Sequence, residues 1–182
     1  MTDSEGLRMT GYVVTLRETK GLYMAYYNAN LFNEVLIFRK LNMFEEGFME
    51  LSVAEVIVES LKAEGIKDLP GVSGSSLFPL LDVLYHTPQI RYIQSQHEQG
   101  ASYMVNGYAR STRKPAVCLV SPGAGITNAL SAIAQAYATA TPHILISVEE
   151  PTRLTGMGTS LAHSLDTEAL FKPVTKMSVK VE

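Results

Sequence analysis

Five consecutive apolar residues, Ala116-Val117-Cys118-Leu119-Val120, run directly into Ser121-Pro122-Gly123-Ala124-Gly125 and then into an alanine-rich stretch ending near Ala140. In a strand with one face in water, every second side chain is polar, so an unbroken apolar run predicts a strand covered on both faces, the usual state of a parallel sheet. The glycines after it let the chain turn at once into a helix. His143–Val148 reads as a second buried strand, and the segment reads strand, helix, strand. Upstream the alternation continues. Ser52-Val53-Ala54-Glu55 has the spacing of a capping box opening a helix to about Ala63, with Val53, Ile57 and Leu61 on its buried side and Gly65 as its stop. An extended piece ending at Gly71-Val72, a helix over 77–85 and an extended piece over 90–94 follow. A further helix from His97 to about Ser111 repeats Ala101, Met104, Val105 and Tyr108 at the spacing of a buried face. The fold class this predicts is α/β, a three-layer sandwich with a mostly parallel central sheet and helices on both faces.

The regular alternation begins near Met49. Residues 1–48 hold eight of the 15 aromatic residues but no clear turn punctuation. They read as an N-terminal extension of unknown role, with a strand at Tyr12–Leu16 and a helix over 31–44, and residues 49–182 read as the domain proper. Met9, Met24, Met43 and Met49 keep open a translation start inside this stretch. The 182 residues suffice for one domain and an appendage. With 15 Lys and Arg against 18 Asp and Glu there is no basic field for nucleic acid. One cysteine, Cys118, rules out an internal disulfide framework, and its place in an apolar strand predicts an inert thiol. No apolar run reaches the 18 residues or so of a membrane helix, and Met1-Thr2-Asp3-Ser4-Glu5 lacks a basic leader, so the expected setting is cytoplasmic.

Chemistry can be sought in four places. The loop over 121–128 lies between a buried strand and a helix, where α/β sheets present ligands. Alone, Gly123-Ala124-Gly125-Ile126-Thr127-Asn128 reads either as a degenerate dinucleotide fingerprint lacking its third glycine or as glycines serving a tight turn. Glu98 opens a helix in Gln96-His97-Glu98-Gln99-Gly100-Ala101. A carboxylate there is favoured by the helix dipole, and the small Gly100 and Ala101 would also let another molecule lie beside it, so that a buried Glu98 could share a proton with a ligand nitrogen. His86, His97, His143 and His163 are scattered without metal-ligand spacing; His86 and His143 read as structural, at a helix end and a strand start. Glu149-Glu150 are neighbours on a strand end, so their side chains point apart.

Together, Gln96-His97-Glu98-Gln99-Gly100-Ala101, Asn106-Gly107-Tyr108-Ala109-Arg110, the stretch Cys118-Leu119-Val120-Ser121-Pro122-Gly123-Ala124-Gly125-Ile126-Thr127-Asn128 and Leu170-Phe171-Lys172-Pro173-Val174-Thr175-Lys176 resemble the N-terminal pyrimidine-binding domain of thiamine-diphosphate enzymes, most nearly the acetolactate synthase-like branch with its 2-oxo acid decarboxylases and carboligases. The resemblance spans residues 50–182. It implies that Glu98 is the catalytic glutamate, hydrogen-bonded to N1′ of the cofactor's aminopyrimidine and so activating its C2. It implies a cofactor contact for the loop Gly71-Val72-Ser73-Gly74-Ser75 and for Gly123, Gly125 and Asn128, and a substrate-pocket place for His163. Pro70 stands where the family has an aromatic residue, Ser73 where it has proline, and Glu149 where many relatives have glutamine. No Gly-Asp-Gly is present, so neither the diphosphate-binding domain with its Mg2+ site nor the central domain that holds FAD is expected in these residues. The implied protein is a fragment or split subunit acting on a small 2-oxo acid, catalytically silent alone, and completed as a homo-oligomer or by a partner chain carrying the diphosphate-binding domain. A non-catalytic interaction module and a sulfopyruvate decarboxylase-type small subunit are the alternatives.

Overall fold

The computed structural model describes residues 12–16, 51–148 and 165–181. Their centre is a sheet of six strands: β1 Tyr12–Leu16, β2 Asp68–Gly71, β3 Arg91–Gln94, β4 Ala116–Val120, β5 His143–Val148 and β6 Met177–Val181. The spatial order is β3-β2-β4-β5-β1-β6, and every adjacent pair is parallel. Helices α1 Val53–Ala63, α2 Phe78–Tyr85, α3 Glu98–Thr112, α4 Ala124–Ala138 and α5 Thr167–Phe171 make the connections, with 3-10 turns at Ser75–Leu77 and Lys172–Val174. The α/β class is as expected. The helix over 31–44 lies outside the described residues.

Strand β4 shows why the sheet has two covers. Its five residues are all buried. Ala116, Cys118 and Val120 pack with Ala101, Val105 and Ala109 of α3 and with Ala129 and Ile133 of α4. The alternate residues Val117 and Leu119 pack with Val58 and Leu61 of α1 and Leu80 and Leu84 of α2 on the opposite face. Burying one such leucine contributes about 1.5–3 kcal/mol. The capping box predicted for α1 is formed, with Glu55 N–H donating to Ser52 Oγ and Ser52 N–H donating to the Glu55 carboxylate.

The buried face of α3 differs from the spacing argument. Ala101 and Val105 are buried, but Met104 and Tyr108 are each 46% exposed. Ser102, Asn106 and Ala109 take the buried positions instead. The stripe is rotated because Ser102 and Asn106 find polar partners inside. Asn106 Nδ2 donates to the Ala132 carbonyl at 2.8 Å, which turns its Oδ1 toward His143 Nδ1 at 2.7 Å. His143 Nδ1 therefore carries the proton, and Nε2 faces the Ser102 hydroxyl at 3.4 Å. Although serine, histidine and asparagine in a row resemble a hydrolytic triad, all three are buried, and they tie α3 and α4 to β5.

Pro70 governs the centre of the sheet. Val72 N–H donates to the Leu119 carbonyl across to β4 at 3.1 Å. Two residues earlier the backbone nitrogen faces the same strand, but in Pro70 it has no hydrogen. The β2–β4 ladder accordingly reduces to the single register pair Gly71↔Leu119.

Candidate functional site

Strand order places the site. From β2 the chain crosses outward to β3 and then returns past β2 to β4, so β2 and β4 are neighbours whose connections leave in opposite directions along the sheet. In open α/β sheets the loops at the C-terminal ends of such a pair are where ligands bind. The two glycine loops, 71–75 after β2 and 121–125 after β4, are those loops.

Their glycines are places of close approach. A Cβ on Gly71 would overlap the Leu119 carbonyl oxygen and lie 3.1 Å from the Tyr92 ring. One on Gly74 would lie 2.9 Å from Ser121 Cβ, and one on Gly125 would lie 2.7 Å from Ser121 Oγ and 3.2 Å from Glu98 Oε1. Gly123, just before α4, has φ +66°, a conformation that L side chains rarely adopt. Gly74, Ser121, Gly125 and Glu98 thus form one continuous set of contacts.

Glu98 reaches it from α3. His97 is extended and caps the helix with its ring, Nδ1 accepting the Gln99 N–H at 3.1 Å. Glu98 is then the first helical residue, where its charge faces the positive end of the helix. It is only 8% exposed. Asn128 of α4 donates from Nδ2 to Glu98 Oε2 at 2.9 Å. Beneath it, burial pushes the Cys118 thiol up to about 12, and the nearby Glu98 carboxylate adds to that effect. Burial likewise raises the Tyr92 phenol to about 12, with Cys118 adding to it.

Of the residues singled out from sequence, Gly71, Gly74, Glu98, Gly123, Gly125 and Asn128 lie on these loops and helix starts. Val72 is partly buried and its N–H is engaged by Leu119; Ser73 and Ser75 are exposed in the first loop. His163 and Glu149 lie outside the described residues. Sequence reading passed over Tyr92 and Ser95, whose buried hydroxyl oxygens have no hydrogen-bond partner among the described residues. It also passed over Ser121, the side chain between two glycines, whose only signal is its place beside Gly123. Among the described residues no three His, Cys, Asp or Glu side chains gather as a metal site, and no helix is long and apolar enough to cross a membrane.

Glu98 is thus a buried carboxylate held by Asn128 and packed beside Gly125 of the second loop. Residues 51–170 match the family described as thiamine pyrophosphate enzyme, N-terminal TPP binding domain. The chain belongs to this family. Within the thiamine pyrophosphate (thiamine diphosphate) enzymes it is acetolactate synthase-like. It is 41% identical over 123 residues to the acetolactate synthase isozyme 1 large subunit of Escherichia coli K12, covering 68% of this chain and 22% of the relative. It is 35% identical over 129 residues to a probable acetolactate synthase large subunit of Methanocaldococcus jannaschii, covering 71% and 21%. Against the mitochondrial acetolactate synthase catalytic subunit of Saccharomyces cerevisiae the identity is 28% over 138 residues, covering 76% and 20%. The chain thus matches about a fifth of the length of these relatives. Every described site residue falls inside the family match, whereas β1 and β6 fall outside it.

Proposed function

We propose that this chain is the pyrimidine-binding half of an acetolactate synthase-like, thiamine-diphosphate-dependent active site, with Glu98 as the carboxylate that meets N1′ of the aminopyrimidine. The supporting observation is the buried Glu98 held among the close contacts of the two glycine loops. When bound, the cofactor supplies the carbon centre and electron sink for decarboxylation or carboligation of a small 2-oxo acid such as pyruvate. Glu98 holds a proton at N1′, and Gly71, Gly74 and Gly125 let the two loops pack closely around it. The diphosphate and its Mg2+ belong, on this reading, to a second domain, carried by a further stretch of the same polypeptide or by a partner chain, with FAD in a third. Tyr103, Met104 and Tyr108 on α3 and Tyr137 on α4, all at least 40% exposed, support a face that meets such a domain. The same face would serve an interaction module without catalysis, and cofactor binding separates the two readings.

The test is pyruvate turnover with thiamine diphosphate and Mg2+, using this chain together with one supplying the diphosphate-binding domain. Glu98→Gln is expected to lower turnover about 10²–10⁴-fold. Near-normal turnover would remove Glu98 from the chemistry, and decarboxylation by this chain alone would refute the shared site.

A further inference from the structure

The two oxygens of the Glu98 carboxylate have different surroundings. Asn128 Nδ2 donates to Oε2 at 2.9 Å, while no described residue donates to Oε1. Beside Oε1 stands Gly125, where a Cβ would come within 3.2 Å of that oxygen and 3.6 Å of the carboxyl carbon. Gly125 and Asn128 are three residues apart in the first turns of α4, hence on one face of the helix. That face meets Glu98 with an amide against one oxygen and bare backbone beside the other.

We propose that Asn128 is a positioning residue that anchors Glu98 through Oε2, so that Oε1, to which no described residue donates, is the oxygen that meets a ligand nitrogen. The inference rests on the reading that Glu98 meets the pyrimidine N1′, and it changes what Asn128 does. The resemblance makes Asn128 a direct cofactor contact; here one of its two amide N–H donors is already committed to the carboxylate. An N–H bond to an ionised oxygen is among the stronger hydrogen bonds, and it fixes the carboxylate plane, which would otherwise rotate. With Oε2 engaged as an acceptor, a proton shared between Glu98 and the ligand resides on Oε1. Orientation set before binding is an entropy cost removed from the bound state.

Two measurements on the 182-residue chain test this. In the free chain, the side-chain amide protons of Asn128, followed by NMR, are expected to shift and exchange faster in Glu98→Ala. An Asn128 amide indifferent to that substitution overturns the inference without any cofactor. The second measurement, made with the diphosphate-binding domain supplied, is the affinity for thiamine diphosphate and for an analogue carrying carbon in place of N1′. Asn128→Ala is expected to weaken thiamine diphosphate about tenfold or more, to leave the analogue unchanged, and to add nothing in the Glu98→Ala background. Equal weakening of both ligands would make Asn128 a direct contact or a merely structural residue and sink the proposal. If the wild-type protein binds no thiamine diphosphate, the cofactor reading fails by itself, while the amide signal still decides whether Asn128 anchors Glu98.

Discussion

His143 is fully buried, and burial depresses its imidazole to about 3. An unfolded histidine titrates near 6.5. Below that pH the unfolded chain takes up a proton that the folded chain refuses, so this residue makes stability fall as pH drops from about 6.5 toward about 3, by at most about 1.4 kcal/mol per pH unit. Urea midpoints at pH 7.5, 5.5 and 4.5 should fall in that order, with a shallower slope in His143→Gln. Asn106→Ala leaves the Nδ1–H without its acceptor and should cost about 1–3 kcal/mol at neutral pH. Asn106→Ala with an unchanged urea midpoint would show that the pair does not hold α3. None of this was legible from Asn106 or His143 singly. They stand 37 residues apart, and neither residue type announces a buried partner. Glu98 was legible because its neighbours in sequence are also its setting: a capping histidine before it and small residues after it.

At the scale of elements, the strands were readable where both faces are covered and the helices where one face is. β4 follows from its unbroken apolar run, β5 from a mostly apolar one that begins at His143 and holds Ser147, and α4 from its alanines. The rotation of α3 could not be read, because a helical period sees apolar residues and not Ser102 and Asn106 buried with partners from β5 and α4. Glycines divide by element in a way that stability measurements can check. Gly107 sits inside α3 with nothing within 4 Å of an added Cβ, so Gly107→Ala should stabilise the chain by about 0.4–1 kcal/mol. Gly71 ends β2 against the Leu119 carbonyl, and its replacement by alanine must push β2 away from β4, to which one register pair joins it. Gly71→Ala should destabilise by about 1–3 kcal/mol, and thermal unfolding of the two variants should move in opposite directions. A neutral Gly71→Ala would mean that β2 and β4 separate at little cost.

For the whole molecule, the position of β1 matters most. Tyr12–Leu16 pairs with 144–148 of β5 on one side and 177–181 of β6 on the other. Sequence reading proposes a strand there but cannot place it, since nothing local to residues 12–16 specifies partners so far along the chain. Deletion of residues 1–17 should therefore do more than trim an end: it removes the strand through which β6 joins the sheet. A lower unfolding midpoint and proteolytic cleavage near residue 175 are expected, and an unchanged midpoint would refute the pairing. The arrangement also bears on how the molecule forms. On a ribosome β1 is made well before either neighbour, so its slot between β5 and β6 is not bounded on both sides until residues 177–181 have emerged. β2, β3 and β4 can assemble as synthesis proceeds, whereas β1 must wait as an unpaired strand, exposed to any other sheet edge, until β5 has emerged, and keeps one open edge until β6 follows.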